Sequence, residues 1–141
     1  GGVDAVAARL RGTRRTLPAG STAIGAALAH AAGLLEQGPQ CGRRVIDVSG
    51  DGKSNTGPPP DRVRDRLGGI TVNALVIGAD LRDGLDRRQV QIGELSSYFH
   101  AHVTRGPDAF VEAALGYEDF REAMTRKLLR ELGTRAVAAG R

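Results

Sequence analysis

The sequence predicts an α/β fold, a parallel sheet with helices on both faces, and three observations lead to it. Two runs rich in β-branched residues, Val45-Ile46-Asp47-Val48 and Ile70-Thr71-Val72-Asn73-Ala74-Leu75-Val76-Ile77, each give out at a glycine turn, near Gly50 and at Gly78. Segments with helical apolar spacing precede, separate and follow them. Parallel strands need a crossover between them, so this alternation implies a sheet covered on both sides. The chain has 141 residues, 40% hydrophobic and 26% charged, which suits one globular domain spanning 1–141 with a sizeable core.

Taken in order, Val3, Val6, Ala7 and Leu10 recur at helical spacing, and the run stops at Gly12-Thr13 before an arginine-rich connection containing Leu17-Pro18. Gly20-Ser21-Thr22 opens onto Ile24, Ala27, Leu28, Ala31 and Leu35, the apolar stripe of a second helix ending near Gly38-Pro39. The first strand is expected from Arg43 to Ser49, breaking off at Gly50-Asp51-Gly52. A turn-rich loop from Lys53 to Pro60 leads into a polar helix from Asp61 to Leu67, closed by Gly68-Gly69. After the strand Ile70 to Ile77 the pattern is weak, with a short helix expected from Ile92 to His100 and a third strand at Ala109-Phe110-Val111. The last helix carries Phe120, Ala123, Met124, Leu128 and Leu132 on one face, opens with Glu118 and Asp119, and has Lys127 and Arg130 near its end.

The formal charge is +4, and all but two of the 20 basic residues, Lys53 and Lys127, are arginine. The arginines are scattered and aromatic content is 4%, so no nucleic-acid-binding face is expected. Cys41 is alone, which excludes a disulfide framework or thiolate zinc site within the chain. No apolar run approaches the ~20 residues of a membrane span. The sequence begins Gly1-Gly2-Val3 and its one methionine is Met124, so it reads as an excerpt or a processed product.

In such folds the loops leaving the carboxyl ends of the strands form the ligand crevice, which directs attention to Ser49-Gly50-Asp51-Gly52. The glycines let a ligand come close, while Ser49 and Asp51 offer a hydroxyl and a carboxylate, donors of the kind hard cations take. Asp51 could equally cap the turn or the next helix. Thr22 and Ser21, at the mouth of a helix, read most simply as N-caps. Asp47 lies within a strand and needs a partner there, Arg44 or a backbone amide.

Other motifs are weaker. Gly52-Lys53-Ser54 mimics the end of a phosphate-binding loop, but Asp47 stands where its first glycine belongs. His100 and His102 lack a third ligand in sequence and read as a solvated pair; His30 flanks the second helix. An enzyme alternative is an α/β-type serine hydrolase using Ser49, Asp80 and His100 or His102 in that chain order, although Asp47 and Asp51 occupy the positions where a nucleophile elbow wants glycine.

Gly20-Ser21-Thr22-Ala23-Ile24-Gly25 and Arg44-Val45-Ile46-Asp47-Val48-Ser49-Gly50-Asp51-Gly52 resemble the threonine and aspartate loops of von Willebrand factor A domains, and more narrowly a bacterial family of such domains of undetermined function. Gly69 to Asn73, Gly106 to Val111 and Tyr117 to Leu128 fit the same pattern, so the resemblance runs from about Thr16 to Leu132. It implies a Rossmann-like fold of that type and a metal-ion-dependent adhesion site for Mg2+ or Mn2+, with Thr22 and Asp51 as ligands and Ser49 as an additional one. It also implies a protein partner offering an acidic side chain, adhesion or assembly rather than enzymatic activity, and often export in bacteria. The family's Asp-x-Ser-x-Ser loop does not occur in these residues, so the chain is expected to be the C-terminal portion of the domain, with its N-terminal strands missing and weak metal binding on its own. A further alternative is a degenerate interaction domain that binds no metal.

Overall fold

The computed structural model describes residues 1–16, 20–79 and 84–138. Its elements, in chain order, are α1 (Gly2–Gly12), α2 (Ile24–Gln37), β1 (Arg44–Gly50), α3 (Pro60–Arg64), β2 (Ile70–Ile77), α4 (Leu85–His102), β3 (Val111–Ala114), a 3-10 turn (Tyr117–Asp119) and α5 (Phe120–Ala138). The three strands form one parallel sheet in the order β1-β2-β3, with Asp47 opposite Asn73 and Ala74 opposite Val111. As the central strand, β2 has no solvated face, which is why it reads as a continuous apolar run rather than an alternating one.

Successive side chains of a strand point to opposite faces. On one face Ile46 of β1 and Ile70, Val72, Ala74 and Val76 of β2 pack against Ile24, Leu28 and Ala32 of α2, Leu95 and Phe99 of α4, and Val103 just after it. On the other, Leu75 and Ala114 meet Ala123, Phe120 and Met124 of α5. Helices therefore cover both faces, as the sequence predicts. The main core lies on the α2 and α4 side. Helix α1 has the expected apolar stripe but buries none of it: Val3, Val6 and Leu10 are 83%, 61% and 70% exposed.

Four elements have boundaries that differ from the sequence reading. β1 runs on to Gly50, where an added Cβ would lie 3.0 Å from the Phe99 ring, so glycine lets α4 close against the strand end. The polar helix stops at Arg64, because Arg66 and Leu67 donate to the carbonyls three residues back and the chain leaves the helix in turns. α4 starts at Leu85 rather than Ile92; its first turns are mostly solvent-facing and carry no apolar stripe to find. β3 starts at Val111 rather than Ala109, although the Phe110 carbonyl already accepts from Ala74 N at 3.0 Å. Among the described residues no helix is long and apolar enough to cross a membrane.

Candidate functional site

Beyond Gly50 the chain turns over the carboxyl end of the sheet, and the segment after Lys53 folds back onto the residues preceding α2. Thr22 N donates to Asn55 Oδ1 at 2.8 Å, and Asn55 N returns a bond to the Thr22 carbonyl at 2.9 Å. Ser54 Oγ donates to the same carbonyl at 3.2 Å and accepts from Ile24 N at 3.2 Å, while Ser54 N donates to Tyr98 Oη at 3.3 Å. The Thr22 segment is thus clasped to Ser54 and Asn55, shortly after the Ser49–Gly52 turn, across 30 to 33 positions of chain.

This changes the expected role of Ser21 and Thr22. α2 begins at Ile24 with Ala23 as its N-cap, a residue with no polar side chain, and the Ile24 amide is met by the distant Ser54 instead. The close fit is reinforced at Gly25, where a Cβ would collide with the Pro58 carbonyl.

Asp51 is exposed and caps no helix, since α3 begins after Pro59. Its Oδ2 accepts from Tyr117 Oη at 2.9 Å. Tyr117 belongs to the 3-10 turn, which is tied to α4 by the Arg88–Glu118 ion pair at 2.9 Å and closed by Leu115 N donating to Asp119 Oδ2 at 3.1 Å. A crevice of about 260 Å3 opens beside Asp51, with Lys53, Ile77, Gln91 and Glu94 in its walls. It lies at the carboxyl ends of β1 and β2, where the fold class places a ligand.

Other predicted residues are not brought here. Strand alternation puts Ser49 on the face of Asp47 and α5, whereas α2 and α4 cover the opposite face. Ser49 therefore points away from the helix that Thr22 precedes, and away from His100 and His102 of α4. Asp80 lies outside the described residues. His102 packs against Tyr98 with ring centroids 4.8 Å apart, and its Nδ1 is 3.7 Å from Asp61 Oδ2, while its side chain stays 45% exposed. His100 and His30 are exposed, as is Cys41. Among the described residues no group of three or more His, Cys, Asp or Glu side chains is placed to hold a metal ion.

The sequence reading missed a charged cluster under α5. Lys127, fully buried, contacts Asp47 Oδ1 at 2.5 Å and Glu131 Oε1 at 2.8 Å, and Asn73 Nδ2 donates to the same Glu131 oxygen at 2.8 Å. Asp47 is therefore satisfied from α5 and not by Arg44, whose guanidinium turns to the Gly68 carbonyl at 3.4 Å. Desolvation against α5 raises the Asp47 carboxyl above its ordinary pKa, outweighing the hydrogen bond from Lys127. At Glu131 burial also pushes upward, but the bonds from Lys127, Asp47 and Asn73 together hold it below its ordinary value. A signal was available: Lys127 follows Phe120 and Ala123 at helical spacing, which sets it on the buried stripe.

No curated protein matches the chain, and no solved structure does. A family model described as "Protein of unknown function (DUF1194)" matches residues 2–136, and the chain belongs to that family.

Proposed function

We propose that this is a von Willebrand factor A-type domain acting as a metal-ion-dependent protein-binding module for adhesion or assembly. The observation that carries the reading is the clasp between the Thr22 segment and the loop that follows Asp51, at the carboxyl end of β1. It ties the segment resembling the threonine loop to Ser54 and Asn55, which come shortly after the segment resembling the aspartate loop, and this supports the reading.

The donor chemistry fits a hard cation in kind. Thr22 offers a hydroxyl and Asp51 a carboxylate, oxygen ligands suited to Mg2+ or Mn2+, which retain water and favour octahedral shells. With one carboxylate contributed by these loops, a bound ion keeps enough charge to take an Asp or Glu from a partner. Ser49 is not part of this set because β1 turns it to the other face. The work of the chain's own residues is to position: Asn55 and Ser54 fix the Thr22 backbone, and Tyr117 orients the Asp51 carboxylate.

Titrating Mn2+ into the isotope-labelled chain tests this, because the paramagnetic ion broadens nearby amide signals even when binding is weak. Signals of Thr22, Asp51 and Asn55 should broaden first, and Asp51→Ala should remove that selectivity. Broadening centred elsewhere, or unaffected by Asp51→Ala, would sink the proposal.

A further inference from the structure

We propose that the crevice between the turn after β1 and helix α4 binds a small free amino acid with an apolar side chain. It lies at the carboxyl ends of β1 and β2, where parallel sheets place their ligands. Its volume of about 260 Å3 is below the ~300 Å3 at which pockets for drug-sized ligands begin, so a ligand of few atoms suits it.

The charges in its walls are of both signs. Lys53 comes from the turn and Glu94 from α4. Among the described residues neither makes an ion pair, although the two line the same crevice. The Lys53 ammonium lies 5.8 Å from the centroid of the Tyr98 ring, near the ~6 Å limit of a cation–π contact, and this leaves its charge without a counter-ion. Opposite charges that share a cavity without meeting fit one ligand that carries both, with its carboxylate on Lys53 and its ammonium on Glu94. Gln91, one helical turn before Glu94, offers an amide that can donate to the first or accept from the second.

The floor is apolar. Ile77 ends β2, and Ile92 and Leu95 come from α4. A Cβ added at Gly78 would lie 2.8 Å from Ile92 Cδ1, so glycine there lets Ile92 lie across the end of the strand. A branched alkyl group resting on these side chains leaves water, which favours an amino acid of the valine kind over a polar one. The reading goes beyond the metal-ion proposal and needs no ion, because it rests on Lys53 and Glu94, which that proposal does not use.

The test is an amide-shift titration of the labelled chain at neutral pH with EDTA present, using L-valine and its two halves, isobutylamine and isovalerate. Valine should give saturable shifts centred on Gly52, Lys53, Gly78, Gln91 and Glu94, and should bind more tightly than either half. Lys53→Gln should weaken valine by about fivefold or more and leave isobutylamine unchanged, whereas Glu94→Gln should weaken both. Both positions are exposed, so the melting temperatures should match the parent chain. Absence of saturable shifts at these residues, or parent-like binding of valine by both variants, overturns the proposal. Isobutylamine or isovalerate binding as tightly as valine overturns the assignment to an amino acid. With EDTA removing any ion, these outcomes are independent of whether Asp51 holds a metal.

Discussion

Lys127, wholly buried on α5, reaches Asp47 on β1, and this contact draws the last helix across the sheet to its edge strand. The apolar contacts of α5 are with Leu75 and Ala114, on β2 and β3, so the charged cluster supplies the connection to β1. Lys127→Met keeps the side-chain bulk but leaves Asp47 and Glu131 facing each other without a cation. Removing one partner of a buried ionic set costs about 3 kcal/mol, so the variant should show a clearly lower urea midpoint at neutral pH. The loss should shrink in acid, where the carboxylates are protonated. A midpoint matching the parent chain at neutral pH would mean that the cluster does not hold α5 in place.

Asp47 makes an opposite test of the same cluster. Its folded-state pKa is raised from 3.8, so folding favours the protonated acid. The stability from that preference is whole below pH 3.8 and is lost as pH rises through the folded value. Glu131 runs the other way: its lowered pKa contributes stability above 4.5 that is lost as pH falls through the folded value. Asp47→Asn removes the first contribution, while the second persists through the bonds of Lys127 and Asn73 to Glu131. Relative to the parent, the variant should therefore gain stability as pH rises from about 4 toward neutrality, read from urea denaturation at each pH. A difference that stays constant over this range would show that Asp47 titrates in the fold as it does unfolded.

The elements that bury a regular stripe were the legible ones. α2 and β2 declare themselves because Ile24, Leu28 and Ala32, and the run from Ile70 to Ile77, are all spent on the core. α4 was legible only from Ile92 onward, where Leu95, Phe99 and Val103 begin to pack; its solvated first turns left no pattern. Of the site, the two segments were found and their clasp was not. The bonds that make it come from Ser54 and Asn55, which in sequence look like ordinary turn residues, and their partners lie on the far side of β1. Local reasoning gave Thr22 the capping role because a hydroxyl near a helix start usually takes it; here the tertiary fold supplies a cap from elsewhere. Lys127 was read as a helix-end charge when its spacing put it under the helix.

Gly25 reports on how tightly the clasp is packed. It sits in the first turn of α2 with the backbone of Pro58 and Pro59 against it, and any side chain would have to displace the Pro58 carbonyl. Gly25→Ala should raise the helix-forming tendency of α2 and still destabilise the protein, by about 2 kcal/mol, because overpacking outweighs propensity at such a contact. Thermal denaturation decides it. A stabilised variant would mean that the proline loop gives way freely, and that the clasp is looser than its hydrogen bonds indicate.

Ser54 is the residue through which the clasp can be opened most selectively. Its hydroxyl accepts from Ile24 N and donates to the Thr22 carbonyl, so Ser54→Ala leaves a helix-start amide without its partner and frees the preceding turn. Loss of a capping hydroxyl costs about 1 kcal/mol, enough to lower the melting temperature by several degrees in a domain of this size. The more telling readout is local. Hydrogen exchange at the Ile24 amide should accelerate in the variant while the amides of β2, bonded within the sheet on both sides, change only as far as global stability does. If Mn2+ is held between the Thr22 and Asp51 segments, its selective broadening at Thr22 should weaken in the same variant, since the hydroxyl of Thr22 would no longer be presented by a fixed backbone. Acceleration spread evenly over α2 and β2 would show instead that Ser54 supports the fold as a whole and has no particular hold on the Thr22 segment.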